Sequence, residues 1–160
     1  MRRSPAIASL LRPFLNQPAP VSLRPGYRLV ATGHPCLHHL NRLLVLCGEQ
    51  PRSDELWGRV LERSLWYLQV LNEADQAVGF LRATSDLALN ANLWDLLSDP
   101  DDPARAEVLA VMVQTALTRL RRELNGCSIS LSAPPEAINA LVQTGFVLDP
   151  GGIRAMGLVL

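Results

Sequence analysis

Three strand-like segments follow one another in the middle of the chain. Residues 65–71 and 76–84 lie on either side of the turn sequence Asn-Glu-Ala-Asp at 72–75, a pattern that predicts a β-hairpin. Residues 90–98 predict a third strand, which ends at Asp99 before a proline. Consecutive strands joined by short polar turns favour a fold with an antiparallel sheet at its centre.

A long helix and several shorter elements surround these strands. Residues 103–123 place apolar side chains at the i, i+3, i+4 spacing of an amphipathic helix, and Asn125-Gly126 ends it. The remaining predicted elements are strands at 27–31 and 128–132, helices at 37–48, 53–63 and 134–144, and a closing hairpin that pairs 146–148 with 155–160. The predicted fold class is therefore α/β, with a mixed, mostly antiparallel central sheet flanked by helices.

The length and composition fit one domain that follows a short extension. A chain of 160 residues with 48% hydrophobic and 19% charged residues can bury one core and is too short for two ordinary domains. Residues 1–25 contain five prolines, four arginines and no acidic residue, which predicts a flexible N-terminal extension before a domain at 26–160. Two roles for the extension stay open: docking to a protein partner, or targeting by a peptide that is removed on import.

Charge and cysteine content narrow the partners and the compartment. The net charge is zero, so no chain-wide field favours nucleic acid as a partner, and no apolar run is long enough to span a membrane. The three cysteines lack CxxC spacing and indicate a reducing compartment such as the cytoplasm. His34, Cys36, His38 and His39 have no second ligand cluster, so no metal site is predicted.

Three sequence blocks carry a family resemblance. Residues 79–86 read Gly-Phe-Leu-Arg-Ala-Thr-Ser-Asp, residues 90–95 begin with asparagine and end in Trp-Asp, and a Gly-Phe pair stands at 145–146. Together they resemble the GCN5-related N-acetyltransferases, in particular the cyanobacterial and plastid branch, from residue 27 onward. The resemblance implies transfer of an acetyl group from acetyl-CoA to a primary amine. It also implies the cytoplasm as location, or the plastid of a plastid-bearing cell.

The resemblance further implies where acetyl-CoA binds. In the family the pantetheine arm pairs with the backbone of the strand that corresponds to residues 90–98. The pyrophosphate lies on amides at the start of the next helix, where a Gln/Arg-x-x-Gly-x-Gly/Ala pattern is usual. Two registers place that pattern here, one starting at Pro103 and one at Arg105, and neither contains the central glycine. The implied cofactor-binding residues are Leu96, Leu97, Ser98, Arg105, Ala106, Val108 and Ala110.

Two features of the sequence count against acetyltransferase activity. They are the acidic residues at this helix start and the absence of a tyrosine that is usual in the family. Asp101, Asp102 and Glu107 complement the helix dipole and would repel a pyrophosphate. The family's proton-donating tyrosine corresponds to Leu141, which cannot transfer a proton.

Two aspartates are the candidates for a catalytic base. Asp95 lies on the third predicted strand, and Asp86 lies in the turn before it. The sequence therefore leaves two functions open. The chain is either an N-acetyltransferase that acts on a primary amine with acetyl-CoA, or a catalytically inactive subunit or scaffold that binds a protein partner. A homodimer is also left open.

Overall fold

The structure, a computed structural model, describes residues 20–150. In chain order these residues form Arg28–Val30 (β1), Leu37–Leu46 (α1), Asp54–Glu62 (α2), Trp66–Leu71 (β2), Ala77–Ser85 (β3), Asn90–Ser98 (β4), Arg105–Glu123 (α3), Ser128–Leu131 (β5), a 3-10 turn at Pro135–Ala137 and Ile138–Gln143 (α4). Each strand and helix predicted between residues 27 and 144 is present, and most ends are displaced by at most two residues. The helix predicted at 134–144 begins as a 3-10 turn, and its α-helical part starts at Ile138.

The strands form one sheet in the order β1-β2-β3-β4-β5. The first four strands pair antiparallel, and β4 pairs with β5 in parallel. A parallel pair needs a long crossover connection, which α3 supplies. The predicted mixed, mostly antiparallel sheet is therefore confirmed.

Helices cover both faces of this sheet. On one face, α1 and α2 bury Leu40 and Trp57 against Phe80, and the Trp57 and Phe80 rings meet edge to face with centroids 5.8 Å apart. On the other face, α3 and α4 bury a larger apolar cluster that includes Met112 and Leu141. The sheet is thus the middle layer of three, and each face has its own core.

Gly79 allows α3 to lie close to β3. A Cβ atom at this position would lie 2.5 Å from Val108 Cγ1 and 3.0 Å from both Cε and Sδ of Met112. Only a residue without a side chain permits this approach. The glycine of the Gly-Phe block therefore sets the height of α3 above the sheet, and with it the position of the helix N-terminus beside the end of β4.

The long helix begins at Arg105, two residues later than predicted. Asp102 accepts a hydrogen bond from Ala104 N–H at Oδ1 (2.8 Å), and its carbonyl accepts one from Arg105 N–H (3.1 Å). The second bond spans three residues and makes a tight turn at Pro103. Regular helical bonding starts only with Val108 N–H, which donates to the Ala104 carbonyl (2.9 Å).

The closing hairpin lies partly outside the described residues. Residues 146–148, one half of the predicted pair, have no strand assignment. Residues 155–160, the other half, lie outside the described range, so the hairpin stays a prediction.

The segment before β1 runs along α3. Val21 N–H donates to the Gln114 side chain (3.2 Å), and Arg24 forms an ion pair with Glu107 (2.5 Å). Residues 1–19 of the predicted extension lie outside the described residues. The division of the chain at residue 25 remains a prediction.

Replacing Gly79 by alanine should destabilise the domain, because the added methyl group must displace Val108 or Met112. We expect the free energy of unfolding to fall by about 1–3 kcal/mol. Gly58 is the matched control, since it lies inside α2 with nothing within 4 Å of an added Cβ. There Gly58→Ala should raise stability by about 0.5–1 kcal/mol. Urea unfolding measures both changes, and a neutral Gly79→Ala would contradict the close approach.

Candidate active site

A bulge interrupts β4 beside its contact with β3. The register shifts between Phe80 and Arg82, so Asp95 and Leu96 of β4 together face the single residue Leu81. Asp95 has a φ of 52°, in the left-handed region that aspartate and asparagine adopt more readily than most residues. The bulge turns the second half of β4 away from the line of its first half.

Beyond the bulge, β4 and β5 separate. The two strands pair from Asn90 to Leu93 of β4, whereas β4 itself continues to Ser98. In the part of the chain that the structure describes, no strand pairs with this edge of residues 94–98. A gap therefore opens between the second half of β4 and the segment that follows β5.

The backbone of Leu96 and Ser98 faces this gap. Asp99 N–H donates to the Val78 carbonyl on β3 (2.9 Å), and hydrogen-bonding groups alternate between the two edges of a strand. The groups of Ser98 and Leu96 therefore point to the β5 side. Cys47, directly after α1, donates its thiol to the Ser98 carbonyl (3.3 Å). Burial raises the pKa of this thiol, which keeps it protonated.

Arg105 spans the mouth of the gap. Its Nε donates to Ser98 Oγ (3.0 Å), and its Nη2 donates to Glu136 Oε1 (2.5 Å). Ser98 ends β4, and Glu136 belongs to the 3-10 turn after β5. A single guanidinium group thus joins the two sides of the gap, and its side chain is 30% exposed.

The structure brings together five of the predicted cofactor-binding residues. Leu96, Leu97 and Ser98 form the open half of β4, and Arg105 and Ala106 begin α3 beside it. Val108 and Ala110 do not join them. The Val108 amide is bonded within the helix and its side chain is fully buried, and Ala110 lies about one turn beyond Ala106.

Within residues 20–150, two amides at the start of α3 have no hydrogen-bond partner. Asp102 engages the N–H groups of Ala104 and Arg105. The first amides of a helix have no partner inside the helix, so those of Ala106 and Glu107 remain. A helix N-terminus with a neighbouring arginine suits an anion.

Two of the three acidic residues at this helix start are bonded to the segment before β1. Tyr27 donates its hydroxyl to Asp102 (3.1 Å to each oxygen), and burial followed by this hydrogen bond raises the pKa of Tyr27. The Arg24 guanidinium holds the pKa of Glu107 below its usual value. Neutralisation of Glu107 by Arg24 weakens the repulsion expected between these acids and a pyrophosphate.

Asp95 binds two arginines at the bulge. Arg52 donates to both of its oxygens (2.7 and 3.0 Å), and Arg82 donates through Nε (2.5 Å). Burial raises the pKa of Asp95, but the hydrogen bonds and charges of the two guanidinium groups outweigh burial, so this pKa lies below its usual value. A carboxylate held ionised in this way is a weak proton acceptor. Its geometry fits a positioning role, and its role as base stays a prediction.

Asp86 lies at the tip of the hairpin between β3 and β4. Its Oδ1 accepts hydrogen bonds from the backbone N–H groups of Ala88, Leu89 and Asn90 (2.8–2.9 Å). These bonds, that of Asn90 first, hold the pKa of Asp86 well below its usual value. The contacts fit a turn-stabilising role, and the predicted catalytic role remains untested.

Leu141 is part of the core, and the two tyrosines form hydrogen bonds elsewhere. Leu141 is 2% exposed and belongs to the core beneath α3. Tyr67 donates its hydroxyl to the Gly33 carbonyl (2.7 Å), and Tyr27 is bonded to Asp102. Both tyrosine hydroxyls are therefore engaged in contacts within residues 20–150.

The sequence prediction missed Arg52, Arg82 and Glu136. Arg82 was within reach of prediction, because it alternates with Phe80 along β3 and so lies on the sheet face that α1 and α2 cover. Arg52 and Glu136 lie in the connections before α2 and α4, and only the folded chain brings them to the gap.

Two features are absent from the described residues: a membrane-spanning helix and a group of metal ligands. No helix among residues 20–150 is long and apolar enough to cross a membrane. No three His, Cys, Asp or Glu side chains of that range are grouped as metal ligands would be.

Comparison with known proteins decides the family. A protein of Pyropia yezoensis named uncharacterized N-acetyltransferase ycf52 is 33% identical over 123 residues, which cover 75% of this chain and 70% of that protein. The chain belongs to the GCN5-related N-acetyltransferase family. The resemblance of the Gly-Phe, Asn-Trp-Asp and closing Gly-Phe blocks is thereby confirmed. No family model matches the chain.

Other relatives and a solved structure agree with this family. The ycf52 protein of Gracilaria tenuistipitata var. liui is 34% identical over 93 residues, 58% of this chain and 49% of that protein. Serotonin N-acetyltransferase 2, chloroplastic, of Oryza sativa subsp. japonica is 32% identical over 123 residues, 73% of this chain and 59% of that enzyme. A crystal structure from meticillin-resistant Staphylococcus aureus, described as a probable acetyltransferase, has the same fold, with a TM-score of 0.72, 16% identity and coverage of 84% and 99% of the two chains. The matched part of the chain spans about half the length of the Gracilaria protein.

Asp95→Asn should destabilise the domain, because two arginines lose their common anion while asparagine still accepts the left-handed backbone. We expect a loss on the order of 3 kcal/mol at pH 7. The folded-state pKa of Asp95 is depressed, so its contribution is complete above the unfolded pKa of about 3.9 and fades as the pH falls through the folded value. Urea unfolding at pH 7 and pH 3 measures this. Asp101→Asn, at an exposed aspartate in the turn after β4, is the control and should change stability by about 0.5 kcal/mol or less.

Proposed function

We propose that this acetyltransferase domain transfers an acetyl group from acetyl-CoA to a primary amine. The observation that carries the proposal is the gap beyond the β4 bulge, which has an unpaired backbone edge inside and Arg105 at its mouth. Family membership supports the same reaction. The comparisons give no specific support to an inactive subunit or scaffold.

The chain's own groups fit an acyl-CoA molecule in extended form. The backbone of Leu96 and Ser98 would pair with the amide groups of a pantetheine arm, as an added strand does at a sheet edge. Arg105 and the amides of Ala106 and Glu107 would bind the pyrophosphate. The helix N-terminus here lacks the usual glycine, and we propose that the Arg105 side chain supplies the phosphate contact from outside the helix.

Glu136 accepts a hydrogen bond from Arg105 at the position where we propose that a phosphate binds. A half-exposed ion pair of this kind contributes about 0–1 kcal/mol, whereas a guanidinium–phosphate contact forms charge-assisted bonds of roughly twice the usual strength. Phosphate should therefore displace Glu136. The Arg105–Glu136 pair then opens as the cofactor enters, and Ser98 keeps its contact with the Arg105 Nε.

The thioester of acetyl-CoA supplies the activated acetyl group. Positioning of the amine and thioester side by side provides most of the acceleration in a direct transfer. Asp95, whose oxygens are both engaged, would position Arg52 and Arg82 beside the reaction rather than accept the proton. Since Leu141 cannot act as the acid, we propose that the departing thiolate takes its proton from solvent.

The names of the relatives narrow the acceptor and the compartment. The rice relative is named for serotonin, which is a primary amine, and is described as chloroplastic. We propose a primary amine as the acceptor and the plastid, or the cytoplasm of a cell without plastids, as the location. Docking of a protein partner by the N-terminal extension and the formation of a homodimer remain predictions.

Substitutions at the mouth of the gap should change CoA affinity in opposite directions. Arg105→Gln should weaken binding by roughly tenfold or more, because charge-assisted bonds to the phosphates are lost. Glu136→Gln should strengthen binding by roughly two- to fivefold, because the competing ion pair is removed. Isothermal titration with CoA measures both.

Arg28→Gln is the control for charge, since Arg28 pairs with Asp75 at the other edge of the sheet. It should leave CoA affinity unchanged. Weaker binding in Glu136→Gln would contradict the exchange of Glu136 for phosphate. Failure of the native protein to bind CoA, or to release CoA thiol with any primary amine offered, would overturn the proposed function.

A further inference from the structure

Arg82 has two donor nitrogens without a partner in the described part of the chain. Its Nε donates to Asp95, and its guanidinium group lies beside the Trp94 ring. Within residues 20–150 this guanidinium group forms no other hydrogen bond. Neither Nη1 nor Nη2 is sealed from solvent, and the Arg82 side chain as a whole is 15% exposed. By contrast, both terminal nitrogens of Arg52 are bonded to Asp95.

An exposed aromatic ring lies beside these two nitrogens. Trp94 is directly opposite Arg82 in the sheet, and the Arg82 guanidinium carbon lies 5.7 Å from the centre of the Trp94 ring. Trp94 is 45% exposed, whereas Trp57 and Trp66 are at most 5% exposed. Its Nε1 donates to Thr84 Oγ1 (2.8 Å), which fixes the ring against β3.

The charge of this cluster favours a monovalent anion. Arg52 and Arg82 share one carboxylate, so the group carries a net charge of +1 in a largely buried position, with side chains 12–23% exposed. Asn41 holds the Arg52 backbone through two hydrogen bonds (2.8 and 2.9 Å), so the cluster is rigid. Two parallel N–H groups of one guanidinium group match the two oxygens of a carboxylate.

We propose that this acetyltransferase selects free α-amino acids with an apolar or aromatic side chain, with the α-carboxylate on Arg82 and the side chain on Trp94. The inference rests on the proposed function and names its substrate class. Arg82 and Trp94 flank the bulge where the gap begins, and an α-amine is only one carbon away from its carboxylate. The carboxylate on Arg82 therefore brings the amine to the gap.

The reaction balances without a further reactant. The α-amine nitrogen bonds to the thioester carbonyl carbon, the carbon–sulfur bond breaks, and CoA leaves as a thiolate that takes a proton. The amine enters as an ammonium ion and loses two protons in forming the amide, of which one equals the proton taken by the thiolate and the other goes to solvent. The product is an N-acetyl amino acid.

Matched pairs of acceptors test the inference. L-Phenylalanine and phenethylamine, and L-leucine and isoamylamine, differ only in the carboxylate. For the native protein, kcat/KM should be roughly tenfold or more higher for the amino acid of each pair. Arg82→Lys keeps a positive charge for Asp95 but removes the paired N–H groups of the guanidinium. The ratio should therefore fall to about one through a higher KM for the amino acid. Arg59→Gln, at an exposed arginine of α2, should keep the native ratio.

Two further measurements keep the test decisive. Trp94→Leu, which leaves the ion pairs of Asp95 in place, should raise KM for phenylalanine and phenethylamine together while the ratio holds. Quenching of tryptophan fluorescence by L-phenylalanine without cofactor reports binding directly, since Trp94 is the exposed tryptophan of the described residues. The quenching should disappear in Arg82→Lys.

The outcomes separate the inference from the proposed function. Equal or better acetylation of the amines lacking a carboxylate would overturn the α-amino acid site while N-acetyl transfer stands. Binding of L-phenylalanine that depends on Arg82, without acetylation of any acceptor, would support the site and overturn the proposed function. Absence of both quenching and acetylation would overturn the inference.

Discussion

The shared ion pair of Asp95 with Arg52 and Arg82 is the interaction on which the site depends. It stabilises a left-handed residue inside a strand, a conformation that costs free energy on its own. The resulting bulge separates β4 from β5 and creates the unpaired edge. One largely buried carboxylate therefore connects the shape of the sheet, the proposed cofactor gap and the proposed acceptor site.

No glycine stands at the start of α3, where the family pattern has one. Gly79 allows close packing of the helix on the sheet, but it lies on β3 and supplies no amide at the helix N-terminus. Tight bonding of Asp102 to the first amides leaves fewer of them for an anion, and Arg105 reaches across the gap from the first position of the helix. The proposed anion-binding groups are thus divided between backbone amides and one side chain, which pairs with Glu136 and is proposed to exchange it for a phosphate.

Local sequence patterns predict much of the fold but only part of the candidate site. Alternation along residues 76–98 and the helical period after residue 103 are local signals, so the sheet and the long helix could be predicted from the sequence. The start of α3 was placed at Pro103 because Asp-Pro resembles a helix opening, whereas Asp102 forms a tight turn first. The role of Asp95 depends on Arg52, which is 43 residues away in sequence and meets it only in the folded chain. No local pattern carries such a contact.

The segment before β1 contacts the start of α3 through Arg24 and Tyr27. These residues precede the first strand, yet they hold Glu107 in the first turn of α3 and Asp102 in the tight turn before it. Loss of Arg24 would leave one uncompensated negative charge within a turn of the proposed phosphate site. A shortened form of this protein that starts at the first strand would therefore keep the complete sheet and still carry an altered ionic environment at its cofactor end.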